Sequence, residues 1–141
     1  MTQVDFHVNT LDKLLHACKV VRKAYQAGKK VVCYSRDGAL LSQFDKALWS
    51  FSALDFLPHV PAGHALAVDT PIILASAPDA ALPHEEVLIN LDHDWPPFFA
   101  RFERLIELVG LDESDKAAGR DRYKFYRDRG YPLHLHDLGK S

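Results

Sequence analysis

Residues 30–35, Lys-Val-Val-Cys-Tyr-Ser, form a short continuous apolar run shortly after Gly28. A strand covered on one side alternates apolar and polar residues. A run apolar on both faces marks a strand covered on both, hence a parallel sheet with helices on either side. The flanking segments agree. Val4-Asp5-Phe6-His7-Val8 alternates as a first strand, which Asn9 and Thr10 stop, and Thr10 is placed to cap the helix that follows. Leu11 to Gln26 carries apolar residues at 11, 14, 15, 18, 21 and 25, a helical period that Gly28 ends. Asp37-Gly38 is a turn, and Ala39 to Trp49 is helical again, with Leu40, Leu41, Phe44 and Leu48 on the inner side. This β-α-β-α opening predicts an α/β fold: one Rossmann-like domain over residues 1–141, mostly parallel, with helices on both sides. Residues 71–75 and 87–91 supply two more buried strands. Residues 103–109 read as strand, because Leu105, Glu107 and Val109 alternate before Gly110. The segment from 132 to 141 is expected to be irregular.

The fold class invites a nucleotide, but the loops that would hold one are missing. The turn after the first strand is Asn9-Thr10-Leu11-Asp12, without glycine, and no GxxxxGK[ST] occurs. No GxSxG nucleophile elbow is present. His134 and His136, His84-Glu85-Glu86 and Asp92-His93-Asp94 lack the paired spacing of a zinc site, so no metal and no cofactor are expected. Cys18 and Cys33 stand in apolar contexts at a spacing that suits neither a redox nor a zinc pair, and read as buried reduced thiols. No apolar run is long enough to span a bilayer, and the first residues lack a signal pattern, so a cytoplasmic location is expected.

One stretch stands apart electrostatically. Residues 120–129 hold five of the chain's seventeen lysines and arginines and two aspartates, net +3, whereas the whole chain carries −2 and the remainder therefore −5. Asp112, Glu113 and Asp115 fit the first turn of a helix here, where the dipole favours negative charge. At 100° per residue such a helix gathers Lys116, Arg120, Tyr123, Lys124 and Arg127 into roughly a quarter turn. Phe125, Ala118 and Tyr126 point elsewhere, toward the core. Two readings fit the stripe: a solvated outer face, or a groove for something acidic.

Two stretches fit neither helix nor sheet. Residues 50–70 make a long connection that carries Phe51, Leu54, Phe56 and Leu57, with Trp49 just before it. Its rings either fold back onto the core or form an apolar patch for a partner. Residues 92–99, Asp-His-Asp-Trp-Pro-Pro-Phe-Phe, are again aromatic and proline-rich.

Taken in order, five segments carry a resemblance: Val4-Asp5-Phe6; Leu48-Trp49 with Phe56-Leu57-Pro58-His59; residues 87–91, VLINL; residues 96–109, PPFFARFERLIELV; and residues 119–127, GRDRYKFYR. Over nearly its whole length the chain resembles the chi subunit family of the bacterial DNA polymerase III holoenzyme. The resemblance implies a non-catalytic accessory protein of the replisome that binds the psi subunit, and through it the clamp loader. It also implies binding of the acidic, phenylalanine-ended C-terminal tail of the single-stranded-DNA-binding protein, with DNA met only indirectly and no membrane. By similarity Arg120, Tyr123 and Lys124 receive the tail, Val109 lines the pocket and Lys116 lies nearby. The residue reading adds Arg127 as diffuse positive charge. Trp49 and Phe56 match the family's psi-contacting aromatics, in a surface with Phe51, Leu57 and Pro58. Two other functions compete: an α/β enzyme of nucleotide or sugar-phosphate chemistry, which the missing phosphate loops disfavour, and a direct single-strand binder, which the net negative charge disfavours.

Overall fold

The computed structural model describes residues 1–51, 56–79 and 81–139. Gln3–Val8 (β1), Val31–Tyr34 (β2), His59–Pro61 (β3), Ile72–Ala75 (β4), Val87–Asn90 (β5), Arg104–Leu108 (β6) and Leu133–Asp137 (β7) form one sheet. Its order is β3-β4-β2-β5-β6-β1-β7, and every neighbouring pair is parallel. Helices Lys13–Gln26 (α1), Gly38–Ser50 (α2) and Glu113–Asp128 (α3) flank it. The expected Rossmann-like α/β architecture is therefore found.

The sheet has two dry faces, as the continuous apolar runs require. On one, Ala17, Cys18 and Val21 of α1 and Leu41, Phe44 and Leu48 of α2 pack on Val31, Cys33, Ile72, Leu74 and Ile89. On the other, Tyr126 of α3 joins Phe98, Phe99 and Phe102 over Val4, Phe6, Tyr34, Leu88 and Leu105. The aromatic stretch after Asp94 thus serves as a lid on the face that α3 covers. Both cysteines are buried free thiols, and burial pushes Cys18 up to about 11 and Cys33 higher still.

Three local expectations change. Thr10 does not cap α1; Asp12 does, its carboxylate accepting from the Leu15 N–H, while the Thr10 hydroxyl donates to the His7 carbonyl. The helix therefore starts at Lys13 and leaves Leu11 89% exposed. The 50–70 connection contains β3 and a 3-10 turn, Ala67–Asp69; Leu54 lies outside the described residues. Most consequentially, the segment after Pro132 is not irregular. Leu133 to Asp137 runs parallel to β1, with Val4 opposite Leu133 and Phe6 opposite Leu135. The alternation of two leucines with His134 and His136 is a strand period. It is short and half polar because β7 is an edge with one face open to water.

Candidate functional site

Helix α3 is fixed to the sheet by its buried face: Asp115, Gly119, Arg122 and Tyr126, four positions at helical spacing. Arg122 corrects the reading of the positive window, because this cation is not on the surface. It is 2% exposed, its Nε donates to Glu107 Oε1 at 2.9 Å and its Nη1 to the His93 carbonyl at 2.8 Å. Glu107, inside β6, also accepts from Asn90 Nδ2 at 3.0 Å and from the Tyr126 hydroxyl. Burial pushes the Glu107 carboxyl up, against the downward pull of Arg122, Tyr126 and Asn90. The signal for this network was a carboxylate between Ile106 and Leu108 in a strand, a position that demands a buried partner. A second clamp is Asp115, which accepts from the Gly110 N–H at 2.6 Å and from Lys13 Nζ at 3.1 Å. Burial raises its carboxyl, but these donors outweigh burial and hold it below the ordinary range.

With α3 so held, a cavity of 380 Å3 opens between it and the β1–β7 edge of the sheet. Phe6, Val8, Val109 and Leu135 give it an apolar floor, and Lys116, Arg120 and Tyr123 of α3 form one wall. Gly119 sets the wall's distance, because a Cβ there would lie 2.7 Å from Val109 Cγ2. Tyr123 is half-buried, its ring edge-on to Phe6 with centroids 5.3 Å apart. Arg120 is exposed at the lip. Among the described residues none of Lys116, Arg120 and Lys124 has a carboxylate partner, whereas Arg127 lies 3.2 Å from its neighbour Asp128. Of the six expected residues, the cavity gathers Val109, Lys116, Arg120 and Tyr123. Lys124 and Arg127 are exposed outside it. Phe6, Val8 and Leu135 belong to it too, and sequence reasoning missed them because they come from the first and last strands. An apolar slot with a guanidinium at its lip can hold a hydrophobic group next to a carboxylate.

The crevice at the C-terminal ends of the strands, where doubly wound folds take nucleotides, has the opposite character. Each helix N-terminus there is capped by an aspartate: Asp12, Asp37 and Asp112. These carboxylates occupy the positions where a phosphate would meet helix amides.

The 49–58 aromatics divide. Trp49 is 53% and Phe56 66% exposed, their centroids 5.5 Å apart. Leu57 is 2% exposed and belongs to the core, and Phe51 is half-buried against it with Arg22 4.9 Å above its ring. Pro58 is half-buried. Leu57 therefore packs its side chain into the core and holds the loop down rather than presenting that side chain at the surface. His59 anchors the same loop, its Nδ1 2.6 Å from the Leu57 carbonyl and its Nε2 2.9 Å from Asp45. Among the described residues no group of histidine, cysteine or carboxylate side chains could hold a metal ion, and no helix is long and apolar enough to cross a membrane.

The model of the family described as "DNA polymerase III chi subunit, HolC" matches residues 1–134. A protein of Pseudomonas aeruginosa named DNA polymerase III subunit chi is 36% identical over 142 residues, 98% of each chain. Proteins of the same name from Haemophilus influenzae and Escherichia coli are 31% and 28% identical, over 87% and 82% of this chain and 85% and 79% of theirs.

Proposed function

The chain belongs to the DNA polymerase III chi subunit family, and from that premise we propose that it is a non-catalytic tether with two protein-binding surfaces. One, at Arg120, Tyr123, Val109 and Lys116, takes the acidic, phenylalanine-ended C-terminal tail of the single-stranded-DNA-binding protein. The other, centred on Trp49 and Phe56, takes the psi subunit and through it the clamp loader. The polymerase assembly is thereby held to coated single strands in the cytoplasm, without gripping DNA itself.

The observation that carries the tail reading is the 380 Å3 cavity, in which an apolar floor meets Arg120 and Lys116, cations with no carboxylate partner among the described residues. A terminal phenyl ring fills the slot over Phe6 and Val109 beside Tyr123. Its carboxylate pairs with Arg120, and the acidic residues before it meet Lys124 and Arg127. Exposed ion pairs contribute only about 0–1 kcal/mol each. Burying the ring contributes roughly 1.5–3 kcal/mol. The expected binding is therefore modest, salt-sensitive and dependent on the ring.

Isothermal calorimetry tests this with a synthetic peptide of aspartates and alanines that ends in phenylalanine with a free carboxylate. Removal of the terminal phenylalanine is expected to weaken binding at least tenfold, and Arg120→Ala about two- to fivefold, as one exposed ion pair supplies. Unchanged affinity in the Arg120→Ala chain would sink the assignment.

A further inference from the structure

The two edges of the sheet are unlike. Strand β3 has three residues and ends on Pro61, a blunt edge of the kind that resists pairing. Strand β7 has five residues, Leu-His-Leu-His-Asp, with neither proline nor lysine inside it, and Leu135 is 62% exposed. The phase of its ladder is fixed at both ends. The Val4 N–H bonds to the Pro132 carbonyl, and the Leu138 N–H to the Val8 carbonyl, each at 3.0 Å. In a parallel pair this phase turns the amides of His134 and His136 inward to β1. It turns the N–H and carbonyl groups of Leu133 and Leu135 outward along the open edge. Neither outward amide makes a hydrogen bond among the described residues. Leu135 also lines the cavity under α3. The open backbone edge and the cavity thus share a residue.

We propose that β7 accepts an added strand: the extended segment that precedes the ring and carboxylate of the docked tail lies along it as an eighth, parallel strand. The proposal rests on the tail-docking reading of the cavity and names how that site is extended. Four residues, 129–132, separate α3 from β7, so the helix runs back along the strand in the opposite direction. Val8 and Asn9, at the C-terminal end of β1, line the cavity with Arg120, so a carboxylate held there sits beside the end of β7. Residues before it run back toward Leu133, which makes the added strand parallel. Side chains alternate across a strand. Every second one faces α3, where Lys124 and Arg127 follow Arg120 along the helix, and this favours acidic residues at those positions. The others lie on the side of His134 and His136. Backbone pairing supplies contacts that side-chain substitutions other than proline leave in place.

Scanning single N-methylation along the aspartate–alanine peptide with its terminal phenylalanine tests the pairing. Methylated amides that point at β7 are expected to weaken binding at least tenfold, and the alternate amides to leave it within about threefold, a two-residue period. Hydrogen exchange of the same complex is expected to slow the amides of Leu133 and Leu135 while those of His134 and His136, already bonded to β1, stay as they were. If every methylated peptide binds like the parent while Arg120→Ala and ring removal still weaken it, strand addition is wrong and the cavity reading stands. If the parent peptide does not bind, the cavity reading fails and takes this proposal with it. A concentration-dependent dimer that protects Leu133 and Leu135 and is indifferent to the peptide would assign the edge to a second copy of this chain, and would also overturn the proposal.

Discussion

His7 lies on the face of β1 that α1 covers, with its Nδ1 2.7 Å from His16 Nε2 and its ring edge-on to His136. Burial, then the charges that His16 and His136 would carry, push it down from 6.5 to about 4, with Lys23 adding to the push and Asp5 opposing it. The folded chain therefore refuses a proton that the unfolded chain takes up between pH 6.5 and 4. Over that window the unfolded state binds more protons, so stability is complete above the window and falls as pH drops through it. The ring is only partly buried, which discounts the loss to about 1 kcal/mol. Urea unfolding at pH 7.5 and 4.5 measures it, and His7→Gln should show the smaller difference; an equal drop in both chains would remove His7 as the cause. Residue-scale features of this kind were only half legible. The glycine stop of α1 follows a local rule that a sequence displays, whereas its cap did not: Thr10 and Asp12 both suit an N-cap, and the structure uses Asp12. That Arg122 turns inward was not readable from the charge window. It becomes readable only when the carboxylate inside β6 is asked for its partner.

Among the elements, α3 decides most, and Gly119 decides where α3 lies. An alanine there would bring its Cβ 2.7 Å from Val109 Cγ2. Valine has little rotamer freedom with which to yield. Overpacking of this kind costs roughly 1–3 kcal/mol. Replacing a helical glycine returns up to about 1 kcal/mol. Gly119→Ala is therefore expected to lower stability by about 1–2 kcal/mol, and to weaken tail-peptide binding because wall and floor part. Adding Val109→Ala should restore part of the stability by removing the opposed methyl groups. A Gly119→Ala chain that unfolds at higher urea than the parent would contradict this packing. The helix and its stripe were legible because a 3.6-residue period belongs to the element itself. Strand β7 was not, since five half-polar residues carry little signal without the strand they pair with.

At the scale of the molecule, the two proposed surfaces stand near opposite edges of the sheet. Trp49 and Phe56 lie by the loop that leads into β3, and the cavity lies by β7. Sites so separated, with no shared partner, are expected to act additively. Phe56→Ala should release the psi subunit in a pulldown, leave stability within about 0.5 kcal/mol, and spare tail-peptide affinity. Leu57→Ala, one residue on, should cost about 2–5 kcal/mol of stability through the core. If Phe56→Ala keeps psi, the loop's assignment fails. These contrasts also separate what each level of structure fixed. Hydrophobic periods by themselves determined a parallel α/β sheet and one basic helix, because backbone geometry imposes those periods within a few residues. Only the tertiary structure decided that Phe56 points out and Leu57 in, that Arg122 is buried on Glu107, and that the chain's last strand lies beside its first. The cavity exists because Phe6, Tyr123 and Leu135 converge from three elements and Val109 from the residue just past a fourth, and no local spacing encodes a contact between segments so far apart in the chain.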